Sequence, residues 1–269
     1  MKKYNILSIS IIIVMSFFIV GCAGPKGDPT QTLNQYYEKI KANNIEGAYD
    51  LLADETKENF NKEDFVKWQE LQKEISDFKE FKVEKTSEYK EKEWDSIKFK
   101  NVVEFNVTEK VQNLSVDKEE TQNYKRMVVN NNGEWKVYRE KTDTKELIAN
   151  SLTMVSWLYI EGKGGKSKDL NRAAIILNDA LKYKSDLPDT HYALARTYAE
   201  LGRFDEAIEP VNNFLQKTED KEEQSDGYNI LGIIYESKVQ KNKAVEYYSK
   251  ALELNPNNQY AKTNLQRVK

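Results

Sequence analysis

The chain has 269 residues, of which 39% are hydrophobic and 32% charged, a balance that excludes a polypeptide too polar to bury a core. Its formal net charge of −3 excludes the basic surface that non-specific nucleic-acid binding requires. One cysteine and one histidine exclude an intramolecular disulfide and a histidine-rich metal site.

Residues 1–21 read as a signal peptide: Lys2 and Lys3 precede an apolar run from Ile6 to Val20. That run is shorter than the roughly 20 residues a membrane-spanning helix needs. It closes on Ile19-Val20-Gly21-Cys22, where the small residue and the sole cysteine coincide with the end of the leader. This tetrapeptide resembles the lipobox of bacterial lipoproteins. The resemblance implies that Cys22 becomes the new N-terminus and carries a thioether-linked diacylglyceryl group. Two acyl chains anchor a protein stably where one does so only marginally. The expected location is therefore the extracytoplasmic face of the cell membrane. Gly24, Pro25, Gly27 and Pro29 make residues 22–29 a non-helical tether.

From residue 30 to 141 an α+β domain is expected. Leu33, Tyr36, Tyr37 and Ile40 recur at helical spacing, and Asn43-Asn44 breaks that helix. Ile45, Ala48, Tyr49 and Leu52 continue a shorter one. Asn61 is placed to cap a third, whose stripe is Phe65, Trp68, Leu71 and Ile75. The period then falls to two at Phe81 and Val83, at Ile97 and Phe99, and at Val103, Phe105 and Val107. Asn130-Asn131-Asn132-Gly133 separates Met127 and Val129 from Trp135 and Val137, a hairpin signal, because Asn and Gly tolerate positive φ.

Helices followed by antiparallel strands, with Asn43-Asn44-Ile45-Glu46-Gly47-Ala48-Tyr49 near the start and Asn132-Gly133-Glu134-Trp135-Lys136-Val137 at the close, resemble the nuclear-transport-factor-2-like fold. The resemblance implies a curved sheet wrapped around helices. Enzymes of that fold use His or paired carboxylates in a conical pocket. This region has no histidine, and its acids lie among lysines, as in Lys82-Val83-Glu84-Lys85 and Glu91-Lys92-Glu93, the pattern of a solvated face. A scaffold is expected rather than an enzyme. A ligand pocket walled by Tyr36, Tyr37, Tyr49, Trp68 and Trp94 is the alternative, although such aromatics are more often core.

Residues 145–269 carry the strongest pattern. Tyr228, Leu231-Gly232, Tyr235, Ala244, Tyr248, Ala251 and Pro256 resemble the tetratricopeptide (TPR) repeat at each spacing. Gly232 and Ala244 let two helices approach, Tyr228, Leu231 and Tyr235 fill the gap between them, and Pro256 ends the second. His191, Leu194-Ala195, Tyr198 and Ala207 form an upstream copy, lengthened by the charged insertion Thr218–Gln224. A partial third copy spans Trp157-Leu158-Tyr159 and Ala173, Leu177, Ala180 and Leu181. The intervening loop resembles those of Sel-like relatives. Gly162-Lys163-Gly164-Gly165-Lys166-Ser167 lacks the spacing of a phosphate-binding loop and follows no strand. Tyr260, Ala261, Leu265 and Val268 mark a capping helix. His191 sits at a packing position with no nucleophilic partner.

The fold class is thus an α+β N-terminal domain followed by an all-α TPR superhelix. The resemblance implies a concave face lined by the first helix of each repeat, which places Thr153 and Trp157, Tyr192 and Arg196, and Asn229 and Ile233 near a groove for a protein or peptide partner. The lysine-rich clamp that some TPR proteins close on a chaperone's terminal carboxylate is absent, since Thr153, Trp157, Ala193, Asp226 and Ile230 occupy its places. The expected function is a membrane-anchored adaptor with no catalytic residue, cofactor, metal or nucleic-acid partner. The alternative is a small-ligand-binding lipoprotein that uses the α+β pocket, with the repeats as spacer or dimerisation surface.

Overall fold

In the computed structural model, which describes residues 26–269, helix α1 (Pro29–Lys41) starts at Asp28, whose carboxylate accepts from the Thr30 amide at 2.8 Å. The leader, Cys22 and the first part of the tether lie outside the described residues. Proline suits the first helical position because the amide it lacks would go unbonded there. Asn43, at φ 57°, turns the chain, and Asn44 caps α2 (Ile45–Tyr49) by accepting from the Gly47 amide at 3.0 Å. Asparagine is among the few residues that tolerate this left-handed backbone. A one-turn helix, α3 (Asp54–Lys57), follows; it is too short to show an apolar period and is not predicted from the sequence. Asn61 then caps α4 (Lys62–Ile75), accepting from the Asp64 amide at 2.9 Å.

Four strands, β1 (Ser76–Trp94), β2 (Ile97–Asn113), β3 (Lys118–Asn130) and β4 (Lys136–Tyr138), form one antiparallel sheet in sequence order. Val103, Phe105 and Val107 of β2, with Val128 and Val137, meet Leu33, Tyr36, Tyr37 and Phe65 of the helices in one core. The period of two in β2 thus puts every second side chain under the helices. At the β3–β4 tip Gly133 has φ 95°, and its amide donates to Asn130 Oδ1 at 3.1 Å. The segment before α1 is held at the same tip, Lys26 N donating to the Gly133 carbonyl at 3.1 Å.

Helices α5 (Thr144–Glu161) and α6 (Leu170–Tyr183), α7 (Pro188–Glu200) and α8 (Phe204–Lys217), and α9 (Lys221–Ser237) and α10 (Lys241–Leu254) pair as three successive hairpins, and α11 (Gln259–Val268) packs on α9 and α10. The first helices touch in series, α5 with α7, α7 with α9 and α9 with α11. Chain length in the charged insertion goes into an earlier start for α9. Asp220 there accepts from the amides of Glu222 at 2.8 Å and Glu223 at 3.0 Å. Gly162-Lys163-Gly164-Gly165 follows a helix rather than a strand, consistent with a connecting loop. Among the described residues no helix is long and apolar enough to cross a membrane.

The two regions share helix α4. Its apolar stripe reads as continuous in the sequence, but the structure divides it: Phe65 enters the α+β core, while Leu71 and Ile75 pack on Ile148, Leu152 and Val155 of α5. Gln72 Nε2 donates to Ser151 Oγ at 2.9 Å, and Lys166 pairs with Glu74 at 2.9 Å across the same seam. Ile75 is 5% exposed, so Ile75→Ala leaves a cavity costing about 3 kcal/mol. We expect chemical denaturation of this variant to show one earlier transition for both regions. Two separate transitions in the wild-type chain would show that the seam does not tie them together.

Within the last hairpin, a Cβ on Gly232 would lie 2.9 Å from Tyr248 Cζ and closer still to two other ring atoms. Tyr248 is fully buried and its hydroxyl donates to Glu236 at 2.6 Å, so the ring cannot swing aside. Gly232→Ala is therefore expected to destabilise the chain by about 1–3 kcal/mol, the usual cost of overpacking, despite alanine's better helix propensity. An unchanged or raised melting temperature would contradict this.

Candidate partner-binding face of the helical array

Residues four apart on a helix share a face, so Thr153 and Trp157 of α5, Tyr192 and Arg196 of α7, and Asn229 and Ile233 of α9 occupy equivalent places on three neighbouring helices. The structure brings three of the six together. The rings of Trp157 and Tyr192 lie 6.4 Å apart, and the Arg196 guanidinium sits 5.1 Å from the Trp157 ring centroid. Arg196 Nε also donates to Glu200 Oε1 at 3.0 Å, one turn along its own helix. Tyr192 is supported from behind by Phe214 at 5.1 Å. All three are half-buried: packed firmly on one side, accessible on the other. A cation over an indole face is an attraction that burial strengthens, so the arginine is held in one orientation.

Thr153 and Asn229 lie beneath this face rather than on it. Thr153 donates to the Ala149 carbonyl at 3.0 Å, so the contact at 2.7 Å with Thr190 requires the Thr190 hydroxyl to donate. Asn229 Oδ1 accepts from Asn264 Nδ2 of α11 at 3.0 Å. A short polar side chain at this place on a first helix is taken up by the next first helix, which joins repeats and leaves little to a guest. Ile233 leans toward the cluster of Ala244, Tyr248 and Val268 at the C-terminal end.

Two further residues, Asp226 of α9 and Tyr260 of α11, lie toward the C-terminal end of the array. Burial pushes the Asp226 carboxyl above its ordinary value, opposed by the hydrogen bond that Asn258 Nδ2 donates at 2.9 Å. The Tyr192 hydroxyl is likewise pushed up, first by burial and then by the Asp226 charge, with Arg196 opposing. Tyr260 of α11 is 77% exposed. Sequence reasoning placed Asp226 only as a departure from a chaperone clamp and Tyr260 only in a cap. An aromatic at the first turn of a terminal helix is the signal available for the latter.

His191 is 5% exposed, with Nε2 at 2.9 Å from the Ser185 carbonyl, which is a packing role. Among the described residues no group of three or more His, Cys, Asp or Glu side chains is arranged to hold a metal ion.

Family models of the tetratricopeptide repeat match residues 166–220 and 225–258. No curated protein matches the chain. Among solved structures, the TPR domain of Arabidopsis OM64 is 20% identical, with a TM-score of 0.42, over 46% of this chain and 97% of that one. MamA from Desulfovibrio magneticus RS-1 is 18% identical with a TM-score of 0.39, over 45% of this chain and 63% of that one. YrrB, described as a TPR protein with an unusual peptide-binding site, is 17% identical with a TM-score of 0.39, over 46% and 63%. The helical C-terminal region of this chain therefore carries tetratricopeptide repeats, stacked behind an α+β region of antiparallel sheet and helices.

Proposed function

We propose that this chain is a lipid-anchored adaptor on the extracytoplasmic face of the cell membrane, gripping a protein or peptide partner on the first-helix face of its repeats. The observation that carries the partner-binding part is the cluster of Trp157, Tyr192 and Arg196 on adjacent helices. Tryptophan, tyrosine and arginine dominate interface energies because each combines a large apolar surface with a directional polar group. Stacked repeats supply an extended surface on which such side chains line up. Thr153 and Asn229 fix the spacing between first helices. Asp226 and Tyr260 extend the contact toward α11, and Ile233 supplies apolar area there. The α+β region, in this view a nuclear-transport-factor-2-like platform, carries the array; that reading is supported by helices packed on one face of an antiparallel sheet. Catalysis forms no part of this function.

The anchoring part rests on Ile19-Val20-Gly21-Cys22 behind an apolar leader. Cys22→Ala is expected to move the protein from the detergent phase to the aqueous phase on phase separation. Equal partitioning of variant and wild type would remove the lipid from the proposal. For the partner face, crosslinking on intact cells followed by mass spectrometry is expected to recover a defined envelope protein. Trp157→Ala or Arg196→Ala, with the melting temperature preserved, should lower that affinity roughly tenfold or more, the loss expected of a central anchor. Folded variants that keep every partner at wild-type strength would exclude this face as the site.

A further inference from the structure

A cavity of about 340 Å³ opens between α1, α4 and the face of β2 and β3, remote in sequence from the repeats. That volume lies within the range of small-molecule pockets. Its apolar wall includes Tyr36, Tyr37, Ile40, Trp68, Phe78 and Val111. Of the five aromatics considered from the sequence, Tyr36, Tyr37 and Trp68 line this space. Tyr49 packs against the core beside Phe65 at 5.6 Å, and Trp94 joins a separate cluster with Phe99 and Tyr138.

The polar side of the cavity is cationic. Arg126 of β3 and Arg139, just past β4, both line it. Among the described residues neither guanidinium has a carboxylate within 4.0 Å, and Arg126 Nε is buried with no acceptor from the protein. Buried guanidinium groups nearly always find a partner, because desolvating the charge is costly. Each is held against an aromatic face, Arg126 at 5.0 Å from the Tyr124 ring and Arg139 at 4.6 Å from the Trp68 ring. Each guanidinium is therefore held near an aromatic ring before any ligand arrives. Lys41 and Lys73 add two exposed charges to the lining.

Two acids oppose them, and both are engaged. Asp77 pairs with Lys79, and Glu109 accepts the Tyr124 hydroxyl, which lies 2.9 Å from the hydroxyl of Tyr37. Burial pushes the Glu109 carboxyl above its ordinary value, opposed by the Tyr124 hydrogen bond and by both arginines. Glu109 thus orients the two tyrosines, and its charge acts on Arg126 without forming an ion pair within 4.0 Å, which leaves Arg126 Nε without an acceptor from the protein.

We propose that this cavity is a binding site for a small organic acid, its carboxylate on Arg126 and its apolar body between Tyr36, Trp68 and Val111. A planar guanidinium meets a carboxylate through two parallel hydrogen bonds, which selects that head group over a neutral amide of the same shape. The site is separate from the partner face of the repeats and does not depend on the adaptor function.

Isothermal calorimetry on the full chain tests this with 3-phenylpropionate and its neutral amide, 3-phenylpropanamide, at neutral pH. The acid is expected to bind at least about tenfold more tightly than the amide, the discrimination of a charge-assisted hydrogen bond. Arg126→Gln should abolish that preference while leaving amide binding unchanged, and Arg126→Lys should restore part of it. Trp157→Ala, on the other face, should leave the preference intact. Equal binding of acid and amide, no binding of either, or full acid preference in a folded Arg126→Gln protein would each overturn the proposal. If Arg126→Gln does not fold, the acid-to-amide ratio of the unaltered chain decides, and a ratio near one refutes the site.

Discussion

Everything on either side of the molecule hangs from the two-sided burial of α4. Its first half is locked into the α+β core through Phe65, and its second half into the array through Leu71 and Ile75. A helix cannot rotate to satisfy one neighbour without withdrawing from the other, because its side chains are fixed at about 100° per residue around the axis. The phase of α4 therefore sets the phase of α5, and through it the direction in which Trp157 faces. It also sets Trp68, which packs at the junction and forms part of the cavity wall.

The array divides its polar residues between two tasks. Those aligned with the contact between successive first helices, Thr153 with Thr190 and Asn229 with Asn264, satisfy one another in pairs. Those one turn further out, Arg196 above all, engage an aromatic ring and a carboxylate while keeping one side accessible. Buried hydroxyl and amide pairs specify how repeats register, since a slip would leave each partner unbonded at a cost of about 1–3 kcal/mol. The accessible aromatic and cationic side chains then rest on a frame whose spacing is already determined.

Local signals in the sequence found the local structure. Asn61 caps a helix because its side-chain oxygen reaches an amide three residues on, and Gly133 turns the hairpin because it accepts the positive φ that the tip needs. Gly232 was legible as a close approach, since repeat spacing places a large ring opposite it. What escaped depends on pairings between distant segments. The division of the α4 stripe follows from where α5 lands, some seventy residues later. That Thr153 and Asn229 are covered depends on Thr190 and Asn264, more than thirty positions away in each case. Arg126 carries no signal in the sequence that sets it apart from the other charges of its strand. Only its register opposite Phe105 and the fold of α1 and α4 over that face put it in a cavity wall.

The bond between Lys26 and the Gly133 carbonyl has a consequence for how the molecule would search for its guest. Only residues 23–25 intervene between Cys22 and this fixed point, so an acylated cysteine would sit no more than about 14 Å away even at full extension. If the chain is anchored there as proposed, a leash that short would give the body little diffusional freedom normal to the bilayer. Encounter would then become a problem in two dimensions: guests embedded in or resting on the same sheet of lipid would be met at a high effective concentration, and guests free in the surrounding fluid would gain nothing from the tether.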